Sequence, residues 1–260
     1  MRPSLVGGQT ALITVAAVAT MLAVMGVGSM AHAASPAHYG RVDATVTHTS
    51  SLNWAGYADA AGANAVTYVA GSWVQPPVTC PSRGTQYAAF WVGIDGYNSN
   101  TVEQTGTLAI CSSGHASYSA WWELYPLNSI QTIGSMTVHA GDSFSASVTY
   151  STSGFTMAIK DQTNGQSYST TGTQSGTSRS SSECVAERPS SGNSLTALAN
   201  FGTMTFSSCT STISGTTVGI GAYASVDAIT MVNSRGATLA VPSATTNSGQ
   251  TFSVTWVRSK

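Results

Sequence analysis

The sequence predicts an all-β protein, an antiparallel sandwich. Three observations carry that expectation. Phe144–Tyr150 alternates apolar and polar residues, the period-2 pattern of a half-buried strand. Asn164-Gly165 separates Phe155–Lys160 from Ser167–Thr170, a strong hairpin signal. Beyond the N-terminal stretch no segment has helical periodicity, and short apolar runs alternate with Gly, Ser and Asn turns.

In chain order, residues 1–33 read as a secretory signal peptide. Arg2 gives a weak positive start, Leu12 to Val27 is apolar, and Ala31-His32-Ala33 is a small-residue cleavage site. A membrane anchor is the rival reading, and Gly26, Gly28 and the cleavage site favour removal. Residues 34–50 are expected to be a leader, short propeptide or linker, and the folded domain is expected to run from 51 to 260. Leu195–Phe206 and Phe252–Val257 continue the strand pattern. Thr170–Ser182 is rich in Ser, Thr and Gly, so it is either a loop or the solvent face of a strand.

Composition narrows the chemistry. Only 7% of the chain is charged, against a usual ~25%. Removing residues 1–33 takes Arg2 from nine basic residues, leaving eight against ten acidic ones. No basic cluster suggests nucleic acid, and no later segment has the ~20 apolar residues of a membrane span. With ten carboxylates in all, little is lost by protonating them, which suits an acid environment. The four cysteines of the exported part suggest two disulfides, with Cys80–Cys111 and Cys184–Cys209 expected as nearest neighbours. No metal or other cofactor is expected.

Four segments are candidates for chemistry. In Tyr118–Pro126, Trp121, Glu123 and Tyr125 share one strand face, a carboxyl between two aromatic groups. The bland reading is a core strand whose Glu reaches solvent at its end. In Phe90–Gly96, Trp91, Gly93 and Asp95 share a face, and Gly93 suggests a close approach to the backbone. Gln104, in Val102–Gly106, is by itself a surface residue, and Glu103 points to the opposite face. Glu183 and Glu187 fall on one face of Ser182–Pro189, and spacing does not choose between them; solvated surface is the alternative. No G-x-S-x-G, S-x-x-K, H-E-x-x-H or P-loop is present.

Together these segments resemble the glutamic peptidases, the eqolisins. Asn53-Trp54-Ala55-Gly56, Trp91–Gly96, Gln104–Gly106, Tyr118–Pro126, Glu183–Glu187 and Phe201-Gly202 occur in family order. The resemblance implies a concanavalin-like or jelly-roll sandwich of two large bent sheets, with a cleft on the concave face. It implies a secreted, acid-active endopeptidase, expected as a monomer acting on polypeptides and free of membrane after signal cleavage. The catalytic pair maps onto Gln104 and Glu187, and cleft positions onto Trp54, Trp91, Asp95, Trp121, Glu123 and Tyr125. Cys184 departs from the family's usual Trp. A carbohydrate-binding module and a glycoside hydrolase are the alternatives; neither accounts for Gln104-Thr105-Gly106 after Trp91–Gly96.

Overall fold

The computed structural model describes residues 47–260 apart from Asn193. The expected signal peptide, and the leader as far as residue 46, lie outside the described residues. The chain runs through β1 (Thr47–Ser51), β2 (Trp54–Ala60), β3 (Val66–Val74), β4 (Thr85–Ile94), β5 (Val102–Ser112), β6 (His115–Tyr125) and β7 (Gln131–Thr132). Then follow β8 (Ser143–Ser151), β9 (Gly154–Asp161), β10 (Ser167–Gly172), β11 (Ser181–Glu187), β12 (Ser190–Ser191), β13 (Ser194–Leu195) and β14 (Ala197–Leu198). Last come β15 (Thr203–Ile213), β16 (Thr216–Gly219), β17 (Val226–Val232), β18 (Thr238–Pro242) and β19 (Phe252–Trp256). One 3-10 turn, Ile220–Ala222, is the only helical element among the described residues.

Two layers result. One has the strand order β1-β17-β2-β11-β4-β5-β6-β7. The other has the order β16-β15-β3-β8-β9-β10. β18 and β19 link them, pairing with β17 and β15. Pairing is antiparallel except for β1 on β17 and β14 on β4. The sheet therefore begins at Thr47, inside the stretch expected to be a leader. The Thr170–Ser182 segment resolves into both readings: β10 ends at Gly172 and β11 starts at Ser181, with a connection between.

Alternation puts one face of each layer into a shared core. Phe90 and Val92 of β4 and Cys184 of β11 meet Trp73, Phe144, Met157 and Phe206 of the second layer, all buried. Trp73 and Phe206 pack edge to face with centroids 5.7 Å apart, a contact that contributes about 0.5–1.5 kcal/mol beyond area burial. The opposite face of the first layer carries a second apolar cluster, including Trp54, Ala89, Trp91, Trp121, Val185 and Ile229.

The disulfide expectation holds for one pair. Cys80 and Cys111 are bonded, whereas Cys184 and Cys209 are buried free thiols. These two sit on different layers, their sulfurs over Gly71 and in thiol–thiol contact.

Candidate active site

Register builds the site. Asp227, Ala58, Glu183, Gly93, Gln104 and Glu123 lie opposite one another across five strand pairings, so they share one face. Two residues along, Ile229, Gly56, Val185, Trp91, Gly106 and Trp121 form the next row on that face. Two further along, Glu187 lies between Trp54 and Ala89. Glu183, Glu187 and Gln104 thus project from the same side of the layer, and Glu103 from the other, as alternation predicts.

Glu187 is held by nitrogen donors. Asn53 Nδ2 donates to its Oε1 at 3.0 Å and Trp91 Nε1 to its Oε2 at 2.8 Å. Asn53 is itself oriented. Ser51 Oγ donates to Asn53 Oδ1 at 3.1 Å, while accepting the backbone N–H groups of Asn53 and Trp54. That assigns the amide oxygen to Ser51 and leaves the NH₂ for the carboxylate. Burial pushes Glu187 up to about 7; the bonds from Asn53 and Trp91, and Trp54 nearby, act in the opposite direction.

Trp91 joins the two halves. Its ring packs edge to face on Trp54, centroids 5.0 Å apart. Its six-membered edge occupies the space above Gly93: a Cβ there would lie 2.7 Å from Cζ3 and 3.2 Å from the Gln104 Cβ. This is the close approach that Gly93 suggested. Gln104 Nε2 donates to Glu123 Oε2 at 2.6 Å, and Gln104 Oε1 has no hydrogen-bond partner. Glu123 is pushed up to about 8, first by burial and then by the charge of Glu187; bonds from Gln104 and the Ile130 N–H oppose this.

Two expectations need correcting. The residues do not form an open cleft floor: Gln104 is 0% and Glu187 1% exposed, and Trp54, Trp91, Trp121 and Glu123 are equally buried. Asp95 does not join the pair. Its φ is +68°, which breaks strand alternation. Its carboxylate instead takes the backbone N–H groups of Ser178, Arg179 and Ser180 and the hydroxyls of Thr101 and Ser180. Asp95 therefore anchors the entry into β11 rather than a substrate. Tyr125, half-buried at the end of β6, offers its carbonyl to Gln174 Nε2. Sequence reasoning gave no role to Asn53 or Ser51; the only signal was the Asn beside Trp54.

Two further buried carboxyls lie on these strands: Glu183 on the site face, and Asp59, opposite Ser182, on the core-facing side of β2. Both residues are 0% exposed; neither oxygen of Asp59 has a hydrogen-bond partner, and Ser181 is the one side chain beside Glu183 that acts to lower it. Burial, with Asp227 adding to it, pushes Asp59 up to about 8, and burial holds Glu183 well above the usual carboxylate range. Among the described residues the one ion pair is His139–Asp142, remote from both groups in sequence. No cluster of His, Cys, Asp or Glu there has the arrangement of a metal site.

A model of the peptidase A4 family matches residues 52–256. Aspergillopepsin-2 from Aspergillus niger is 32% identical over 202 residues, covering 69% of this chain and 71% of that protein. The crystal structure of aspergilloglutamic peptidase from Aspergillus niger is 30% identical, with a TM-score of 0.57 over 66% of this chain and 99% of that one. Scytalido-glutamic peptidase, solved with a peptide-based transition state analog, superposes with a TM-score of 0.66 over 79% of this chain and 98% of that one; at 24% identity it speaks for the fold.

Proposed function

This chain belongs to the peptidase A4 family and is a glutamic endopeptidase, and we propose that it is secreted and cuts polypeptides in acid through a water activated by Glu187 and Gln104. The supporting observation is the double clamp on Glu187. Two N–H donors aim at its two oxygens, and such bonds favour the charged form. In the covered site burial outweighs them and Glu187 holds a proton below about 7. Opening the face to water removes the burial effect and keeps the clamp. Glu187 then titrates lower, towards the ordinary carboxylate range, and serves as a carboxylate in moderate acid.

In that state Glu187 takes a proton from water as the oxygen attacks the peptide carbonyl, and returns it to the leaving amine. Gln104 orients the water and donates an amide N–H to the oxyanion, a role that contributes ~10²–10³ in rate. Glu123 frees it to do so. Burial and the charge of Glu187 both push Glu123 up, so in acid it holds its proton, and its O–H can serve the Gln104 carbonyl once the amide turns. No covalent intermediate forms. Once that face is open, Trp54, Trp91, Trp121 and Tyr125 line the groove for the extended substrate, and residues 1–33 are removed on export. The family assignment leaves the sugar-binding alternatives without support.

Glu187→Gln and Gln104→Ala should each remove nearly all cleavage of an unfolded protein at acidic pH while leaving the circular dichroism spectrum intact. Glu183→Gln, which leaves the clamp untouched, should retain most of it. Wild-type-like cleavage by either of the first two variants rules the assignment out.

A further inference from the structure

We propose that a basic pocket adjoining Glu187 is a subsite for an anionic side chain of the polypeptide substrate, fixing a preference for Asp or Glu at one position beside the cut. This rests on the peptidase reading above. The pocket holds about 600 Å³ and is lined by Leu52, Arg188, Thr196, Asn233, Arg235 and Lys260, among others. It begins one residue beyond the site on both chain segments that form it: Leu52 precedes Asn53, and Arg188 follows Glu187.

Arg188 forms its floor. The backbone N–H of Arg188 donates to the Asn53 carbonyl at 3.0 Å. Its Nε donates to the Leu52 carbonyl at 2.7 Å and its Nη1 to the Thr196 carbonyl at 3.3 Å. The guanidinium thus ties the pocket's two walls together while keeping its charge there, 8% exposed. Arg235 stands at the rim on a turn held by Asn233 Oδ1, which accepts the N–H groups of Arg235 and Ala237 at 2.9 and 3.0 Å. Arg235 and Lys260 are exposed.

Charge makes the pocket selective. Three of the chain's nine basic residues meet here. No acidic residue lines it, and among the described residues none pairs with Arg188, Arg235 or Lys260. The charged-capable side chains in the rows of the site face next to it, Asp227, Glu183, Glu123 and Glu187, are all carboxyls, so this end has a sign of its own. Arg and Lys stay charged throughout acid, whereas a substrate Asp or Glu ionises near ~4. The occupant is therefore a carboxylate above that pH and a neutral acid below it. With side chains repeating every ~3.3 Å along an extended chain, the pocket addresses one fixed position on one side of the scissile bond.

The experiment measures kcat/KM for peptide pairs with Asp or Asn at each position around one cut, at pH 5 and pH 3, with cysteic acid as an anion that does not titrate. Wild type should favour Asp at one position by about two- to five-fold per cation engaged at pH 5. The preference should fade at pH 3 for Asp and persist for cysteic acid. Arg235→Glu and Lys260→Glu should each cut the ratio several-fold, whereas Lys160→Glu, the same charge change at an exposed position on β9 of the second layer, should leave it alone. No Asp preference at any position, or a ratio unmoved by Arg235→Glu, overturns the proposal. Binding of the same peptides to Glu187→Gln, read by fluorescence anisotropy, separates the two readings. If nothing is cut but acidic peptides still bind better, the subsite stands and the peptidase chemistry falls.

Discussion

Replacing Asp59 by Asn should flatten the loss of stability as pH rises. Asp59 is wholly buried, and neither of its oxygens has a hydrogen-bond partner. It titrates at about 8 in the fold against an ordinary value of 3.8. Below both values folded and unfolded chains each hold the proton, and the group's contribution is fully present. Between them the folded chain keeps a proton that the unfolded chain has lost, so stability falls with rising pH by about 1.4 kcal/mol per pH unit. From pH 5 to pH 7 this one group removes about 2.7 kcal/mol. Glu103, pushed up to about 9, Glu123 to about 8 and Glu187 to about 7 act in the same direction. With Glu187 half-titrated at pH 7, the four groups together would remove about 10 kcal/mol over those two units, comparable to the ~5–15 kcal/mol of a whole domain. Wild type should therefore be stable in acid and fail towards neutrality. Asp59→Asn should recover about 2.7 kcal/mol of that fall, or roughly 5–10 °C in Tm at pH 7 relative to pH 5. The comparison is one of slopes, since an unpartnered amide adds its own pH-independent cost. Thermal melts of both proteins from pH 3 to pH 7 measure it. Parallel curves, or a wild type that gains stability towards pH 7, would refute the reasoning.

Other outcomes follow from the same contacts. Asn53→Ala removes a charge-assisted bond of about 1.5–3 kcal/mol from Glu187, so the acid limb of the kcat/KM profile should move up by about one to two pH units; an unmoved limb would show that the amide does not tune the carboxyl. Gly93→Ala places a methyl 2.7 Å from the Trp91 ring, so it should displace the indole and lower activity at least tenfold, with a matching change in tryptophan emission. Opening Cys80–Cys111, whose sequence separation is 31 residues, should cost roughly 4 kcal/mol in urea unfolding, whereas Cys184→Ser with Cys209→Ser should not alter the non-reduced peptide map.

Much of the layer that carries the site was legible because strand alternation is a local property. Phe144–Tyr150 alternates and is β8; Asn164-Gly165 turns β9 into β10; Gly93 lies under a ring. The same period put Glu183 and Glu187 on one face and could go no further. What separates them is partners brought from 134 and 96 residues away, Asn53 and Trp91, which no local pattern encodes. Asp95 misled for a local reason: its positive φ rotates it out of the alternation and into the turn before β11. Nearest-neighbour reasoning found the right spatial partners in Cys184 and Cys209, whose sulfurs touch across the two layers, but chain spacing does not tell a thiol contact from a bond, and here both remain thiols. The burial of Gln104 and Glu187 was also out of reach, since a run of aromatic and carboxyl residues reads alike whether the face above it is covered or open.

The most direct test is the position of a tetrahedral, peptide-like inhibitor bound to the enzyme in acid. Glu187 and the Gln104 amide should both lie within ~2.6–3.2 Å of oxygens on the same tetrahedral centre, with Asn53 and Trp91 still on the carboxylate and the Gln104 NH₂ turned away from Glu123. An inhibitor seated elsewhere, or a Gln104 amide still bonded to Glu123 with Glu187 out of reach, would contradict the assignment of the pair.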